Sequence, residues 1–254
     1  MTIYFSAMVF IFGLIIGSFL NCLIWRLYKN ESLGGRSYCP HCRRPIAWYD
    51  NIPLISFIFL RGRCRQCQVA ISWQYPLVEL ITAILFLLVW QRDSVSPDLL
   101  VLLLRDWFLI ISLVIIFVYD FRWQLVPVAL VCLMGGLVFI LNLILGYAWF
   151  TLIVSALIGG AFFFIQYILT KKRGVGEGDI YLGIFLGLTF PNLVDLVAAL
   201  LIAYFSGAIV SSFLVFYHRK AWQSRIALGP FLAIGAIITL IWGQEIISWY
   251  INLF

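Results

Sequence analysis

The chain alternates long, charge-poor apolar runs with short polar turns, and the runs are the right length to cross a bilayer as helices. About 17 to 25 residues suffice for one crossing, and candidate spans fall near 3–25, 76–91, 99–119, 126–146, 148–170, 180–191, 193–217 and 228–250. The second and sixth are short and need their flanks. A single long polar stretch, 26–75, interrupts the series. The pattern predicts an all-α polytopic membrane helix bundle of about eight spans. It divides into a first span over 1–25, a cytosolic cysteine-rich insertion over 26–75, and a bundle over 76–254. No tandem repeat or low-complexity segment is evident.

Composition agrees. Apolar residues make up 64% of the 254 residues and charged residues 11%, against about 45–50% and about 25% in soluble domains; mean hydropathy is +1.05. A net charge of +6 invites a nucleic-acid reading, but membrane proteins place basic residues by topology. With the N-terminus outside, segments 26–75, 120–125, 171–179 and 218–227 face the cytosol and hold 15 of the 17 Lys and Arg, all but Arg92 and Arg105. The basic excess is therefore read as topology and lipid attraction, with no nucleic-acid partner. The first run has no basic segment before it and no small-residue cleavage site, so it is expected to remain as a span.

Cys39-Pro40-His41-Cys42 and Cys64-Arg65-Gln66-Cys67 form C-x2-C-x21-C-x2-C. Each pair can present two thiolates to one metal, and four thiolates suit tetrahedral zinc. In a reducing compartment such an ion would fold an insertion poor in core residues, so Cys39, Cys42, Cys64 and Cys67 are expected to hold structural Zn2+. His41 is expected at the surface, and Cys22 and Cys132 to be small buried apolar residues. Arg43, Arg44, Trp48, Tyr49, Arg61, Arg63, Arg65, Trp73 and Tyr75 suit interfacial anchoring to membrane lipid, with substrate docking as the alternative.

Asp120 and Asp179 stand where apolar runs meet turns on the same expected membrane face. An Asp at a helix centre in the membrane costs on the order of 2.5–3.5 kcal/mol, which makes such residues functional candidates. A carboxylate pair sharing one proton can hydrolyse a peptide bond, the ionised member activating water and the protonated one serving as acid. Gly174, Gly176 and Gly178 before Asp179 permit close backbone approach or positive φ, so Gly176 and Gly178 are candidates for substrate approach. The structural alternatives are an Asp120 pair with Arg122 and an N-cap role for Asp179. On residues alone, Glu177 competes with Asp179. Asp93, Asp98 and Asp195 fall on the outer side, Asp106 lies well up the third span beside Arg105, and Glu79 is a candidate for the insertion interface.

These residues lie within a wider set of motifs: Gly17-Ser18-Phe19-Leu20-Asn21 with Trp25-Arg26-Leu27; Cys39 through Asp50-Asn51-Ile52-Pro53; Arg61-Gly62-Arg63-Cys64 through Cys67; Ile71 through Glu79; Asp120; Gly176-Glu177-Gly178-Asp179; and Gly229-Pro230-Phe231-Leu232-Ala233. In that order they resemble the bacterial prepilin peptidases, or type IV leader peptidases, of the GxGD class of membrane aspartic proteases. The resemblance covers nearly the whole chain. It implies catalytic Asp120 and Asp179, with Glu177 a neighbour only, cutting the short basic leader of type IV prepilins or pseudopilins after a glycine at the cytosolic face of the bacterial inner membrane.

The resemblance further implies N-methylation of the new terminus with S-adenosyl-L-methionine, for which no cofactor residue is assigned. Two departures stand out: Tyr181 where the family usually has Lys, and Val126-Pro127 where Ile-Pro is more frequent. Competing functions are a methyltransferase alone, a proton-coupled transporter using the acids as a relay, and a non-enzymatic assembly scaffold.

Overall fold

A computed structural model describes residues 2–93, 99–171, 174–216 and 227–253. Asp98, Lys172, Arg173 and nearly all of the basic segment 218–227 lie outside them. Among the described residues the helices are α1 (Thr2–Lys29), α2 (Ile55–Phe59), α3 (Gln74–Asp93), α4 (Leu99–Trp123), α5 (Val128–Ile144), α6 (Trp149–Leu169), α7 (Glu177–Thr189), α8 (Leu193–Phe216) and α9 (Gly229–Ile251), and no strand is present. Each expected span coincides with one of the eight longer helices. Six of them are long and apolar enough to cross a membrane: α1, α3, α4, α6, α8 and α9. The second run gains its length from Gln74, Tyr75, Arg92 and Asp93, whereas α5 has 17 residues and α7 only 13.

The chain divides into two compact units, Met1–Ser94 and Val95–Phe254. In the first, α1 and α3 pack along each other because Gly13 and Gly17 let the backbone of Ala83 and Glu79 approach to where a Cβ would stand, 2.6 Å from either Cα. Small residues at this spacing are the usual route to close helix contact in lipid. The insertion is tied to this hairpin by two buried charges. Arg26 donates to the carbonyls of Leu33, Gly34, Gly35 and Arg36 at 2.6 to 3.2 Å. Glu79 Oε2 accepts the N–H of Leu54 at 2.8 Å, which makes Glu79 an insertion-interface residue.

In the second unit α4 packs on α5 and α9, α7 on α5 and α6, and α8 on α9. The α6–α7 seam is built from Ser155, Gly159, Gly183 and Gly187, whose backbones touch directly. α7 stops where Pro191 cannot continue a helix and the residue before it is steered to extended backbone. The chain is irregular there, amid apolar helices, so its carbonyls need protein partners. Asn142 Nδ2 donates to the Leu188 carbonyl and Ser155 Oγ to that of Pro191, both at 2.8 Å. Asp106, wholly buried, pairs with Arg105 Nε at 2.5 Å, and Arg105 reaches Asn142 Oδ1 at 3.4 Å. The neighbours Arg105 and Asp106 are thus partners.

Candidate active site

Asp120 lies in the last turn of α4. That helix ends at Gln124, whose φ of +53° carries its N–H back to the Asp120 carbonyl at 2.8 Å, an αL C-cap. The Asp120 side chain is buried and its Oδ2 accepts the N–H of Gly229 at 2.7 Å. Gly229 opens α9, so the carboxylate sits at a helix N-terminus, where orphan N–H groups and the macrodipole favour negative charge. Arg122 lies over the Trp123 ring, 5.1 Å from its centroid, and the hydrogen bond to Asp120 comes from Gly229 instead.

Asp179 occupies the first turn of α7 and is also buried. Its Oδ2 accepts the N–H of Gly176 at 2.8 Å, so it caps its own helix from the third helical position. Asp120 and Asp179 are held alike, near the end of α4 and the start of α7, whose turns meet at Val126 and Gly178. Each has one oxygen fixed by a backbone donor, and neither Oδ1 takes a hydrogen bond from a described residue. Glu177 points away: it is exposed and bonded to the Tyr167 hydroxyl.

Two glycines set the approach of these elements. A Cβ on Gly178 would lie 2.7 Å from Cβ and Cγ2 of Val126, so this glycine lets the turn after Asp120 rest on the first turn of α7. A Cβ on Gly229 would lie 2.5 Å from Asp120 Oδ2. Gly176 has φ −82° and an open side, its nearest neighbour being Asp179 Oδ2 at 3.6 Å. The positive φ that the glycine stretch allows is used elsewhere, at Gly35, Gly62 and Gly146.

The pattern of the sequence does not reveal Tyr204 of α8. Its hydroxyl donates to Gln166 Oε1 at 2.8 Å and joins α8 to α6. Tyr181, in the place where a Lys is usual, is 41% exposed on α7.

In the first unit the four sulfurs of Cys39, Cys42, Cys64 and Cys67 lie within 4.8 Å of one another, with Cys39 and Cys67 at 3.8 Å. A tetrahedral zinc with bonds of about 2.3 Å separates its sulfurs by about 3.8 Å, so the donor set fits that ion. The two knuckles repeat each other. Cys39 and Cys64 accept at their carbonyls from Arg43 and Gln68 (2.8 and 3.0 Å); those donors have φ of +56° and +57°; and isolated bridges join Tyr38 to Pro45 and Arg63 to Ala70.

The Cys67 N–H on its sulfur draws the Cys64 thiol down to about 7. Cys67 is drawn down by the Val69 N–H but pushed up to about 11 by desolvation and the thiols around it. His41 is exposed and outside the sulfur cluster. Cys22 is half-buried and Cys132 exposed, against the expectation of burial: Cys132 faces outward on α5.

Residues 107–212 match the model described as the type IV leader peptidase family, and residues 11–92 match the bacterial peptidase A24 N-terminal domain. The prepilin leader peptidase/N-methyltransferase of Aeromonas hydrophila is 36% identical over 288 residues, covering 99% of this chain and 95% of the relative. The chain belongs to the type IV leader peptidase family. Its member of the same name from Bacillus subtilis is 32% identical over 249 residues, covering 97% and 98%. The type 4 prepilin-like proteins leader peptide-processing enzyme of Escherichia coli O78:H11 is 34% identical over 267 residues, covering 90% of both chains. No solved structure matches the chain. As a leader peptidase it is a membrane protease, and its apolar helices make it a multi-pass protein of the inner membrane.

Proposed function

We propose that the enzyme cuts the leader from type IV prepilins or pseudopilins after a glycine, with Asp120 and Asp179 as the catalytic dyad. The observation that carries this reading is the placement of the two: buried carboxylates at the end of α4 and the start of α7, each with Oδ2 engaged by a backbone N–H, on turns that meet at Val126 and Gly178. In such a dyad one proton would be shared, one carboxylate serving as acid and the other as base. A water between the two Oδ1 atoms would lose a proton to the ionised member and attack the glycine carbonyl. The protonated member would donate to the carbonyl oxygen, and the leaving amine would take a proton as the tetrahedral carbon collapses.

The open flank of Gly176 is the approach for an unwound scissile segment, while Gly178 is occupied by Val126. The basic segments favour a cytosolic site with the N-terminus outside.

The four cysteines would hold a structural zinc. The printed name of the relatives includes N-methyltransferase, and we extend it to methylation of the new N-terminus with S-adenosyl-L-methionine. The buried Arg26 and Glu79 of the first unit are held by its own backbone.

The test is cleavage of a purified prepilin by the full chain, with and without S-adenosyl-L-methionine, reading the product terminus by mass. Asp120→Asn and Asp179→Asn, each present in the membrane at the wild-type level, are expected to abolish cleavage. Wild-type processing by either one would remove the dyad.

A further inference from the structure

Outside spans, helices usually turn apolar residues inward, and α2 does the reverse. Ser56 faces in, its Oγ on the Tyr49 carbonyl at 2.9 Å. Ile55, Ile58 and Phe59, at i, i+3 and i+4, face out, with Ile58 73% and Phe59 82% exposed. Trp73, whose ring centroid lies 5.0 Å from that of Phe57 in α2, is 70% exposed. Trp48, in the 3-10 turn Trp48–Asn51 that packs on α2, is 77% exposed. An exposed apolar surface of this kind outside the spans marks a contact site.

Its rim is basic. Arg61 and Arg63 follow α2 directly and are exposed; Gly62 between them, at φ +66°, leaves room for the Phe57 ring. Residues 30–73 contain six arginines and two acidic residues. Of those two, Asp50 is held by Arg65 in a bidentate pair at 2.7 and 2.8 Å, and Glu31 accepts the Tyr38 hydroxyl.

We propose that α2, with Trp48 and Trp73, is an interfacial foot that seats among the lipid headgroups of the leaflet where α1 ends and α3 begins, with Arg61 and Arg63 on anionic phosphates. Two observations select lipid as the occupant. The foot is carried on the α1–α3 hairpin, whose ends hold it at the membrane surface. Its outward aliphatic and aromatic side chains with flanking guanidinium groups have the make-up of interfacial elements, and the charge complements anionic lipid. A basic leader segment would be repelled by the same rim. The proposal does not depend on the peptidase reading.

Hydrogen exchange of the 55–61 amides tests it, in the full chain reconstituted into nanodiscs of phosphatidylcholine with or without phosphatidylglycerol. Exchange is expected to slow by roughly fivefold per engaged arginine when the anionic lipid is present. The Arg61→Gln/Arg63→Gln double variant should lose that difference while keeping its zinc content. Phe59→benzoylphenylalanine, irradiated in the anionic discs, should give a lipid adduct by mass. Equal exchange in the two lipids, or an adduct confined to protein, overturns the proposal.

Discussion

The Gly229 N–H donates to Asp120 Oδ2 at 2.7 Å, and the carboxylate fills the space where a Cβ on residue 229 would stand, 2.5 Å from that oxygen. One glycine both supplies the donor and makes room for the acceptor. Gly229→Ala must therefore move Asp120 or the first turn of α9. Misplacing a catalytic group by about 1 Å can cost on the order of a hundredfold in rate, so prepilin cleavage should fall by about that factor with the protein still in the membrane. Cleavage within twofold of wild type would show that the contact does not position Asp120.

Gly178 and Val126 form a second such contact, 2.7 Å from an added Cβ to Val126 Cβ and Cγ2. Gly178→Ala alone should depress kcat by more than about tenfold, since overpacking displaces backbone at a cost of about 1–3 kcal/mol. Val126→Ala removes Cγ1 and Cγ2 and should restore part of it in the double variant. The check is a double-mutant cycle on cleavage rate, and strictly additive losses would refute the contact as the cause.

Cys39→Ser/Cys42→Ser leaves two of four sulfurs and should release the metal. Elemental analysis should read near one zinc per chain for wild type and near none for the variant, and residues 30–73 should become protease-sensitive. Metal loss should also grow as pH falls, because every protonated thiol is a lost ligand. Full zinc retention by the variant would rule out the four-sulfur site.

Asn142 satisfies the Leu188 carbonyl in the last turn of α7. Asn142→Leu leaves that carbonyl and the guanidinium of Arg105 without this partner, an expected loss of about 1–3 kcal/mol. Thermal unfolding in detergent should occur several degrees lower, with a smaller change for Ser155→Ala, whose partner Pro191 lies nearer the end of the segment. An unchanged melting temperature for Asn142→Leu would mean that water replaces the amide.

Glu79→Ala should loosen the insertion from the α1–α3 hairpin, because Leu54 sits at φ +58° with its N–H on the Glu79 carboxylate. Strain of this type is held only where the surroundings fix it. Faster proteolysis between residues 50 and 61, with zinc content unchanged, is the expected result. Proteolysis at the wild-type rate would show the hydrogen bond to be dispensable.

The helices are legible in the sequence because hydrocarbon demands runs of apolar residues, and each run coincides with a helix. Their ends are less so. The sixth run extends to 191 on apolarity, but Phe190 is already out of helix because Pro191 follows. Glu177 and Asp179 look interchangeable in the sequence. In a helix, residues two apart face different ways, which turns one to Tyr167 and buries the other. The Gly229 donor is 109 residues from Asp120, and the Tyr204–Gln166 pair joins α8 to α6; no local pattern announces either. Beyond their cysteines the two knuckles share only Arg36 with Arg61, Ile46 with Ile71 and Trp48 with Trp73, while Arg43 and Gln68 share a backbone conformation that their side chains do not reveal.

The shortness of α7 has a mechanical consequence. Thirteen residues make a rod of about 20 Å at 1.5 Å per residue, about 10 Å short of the hydrocarbon layer. Lipid alone cannot level such a rod. Its depth is set by the glycine seam with α6 along its side, by Asn142 at its last turn, by Ser155 just beyond its end, and by Val126 at its start. Asp179 therefore keeps its height relative to α6 whatever the thickness of the surrounding bilayer.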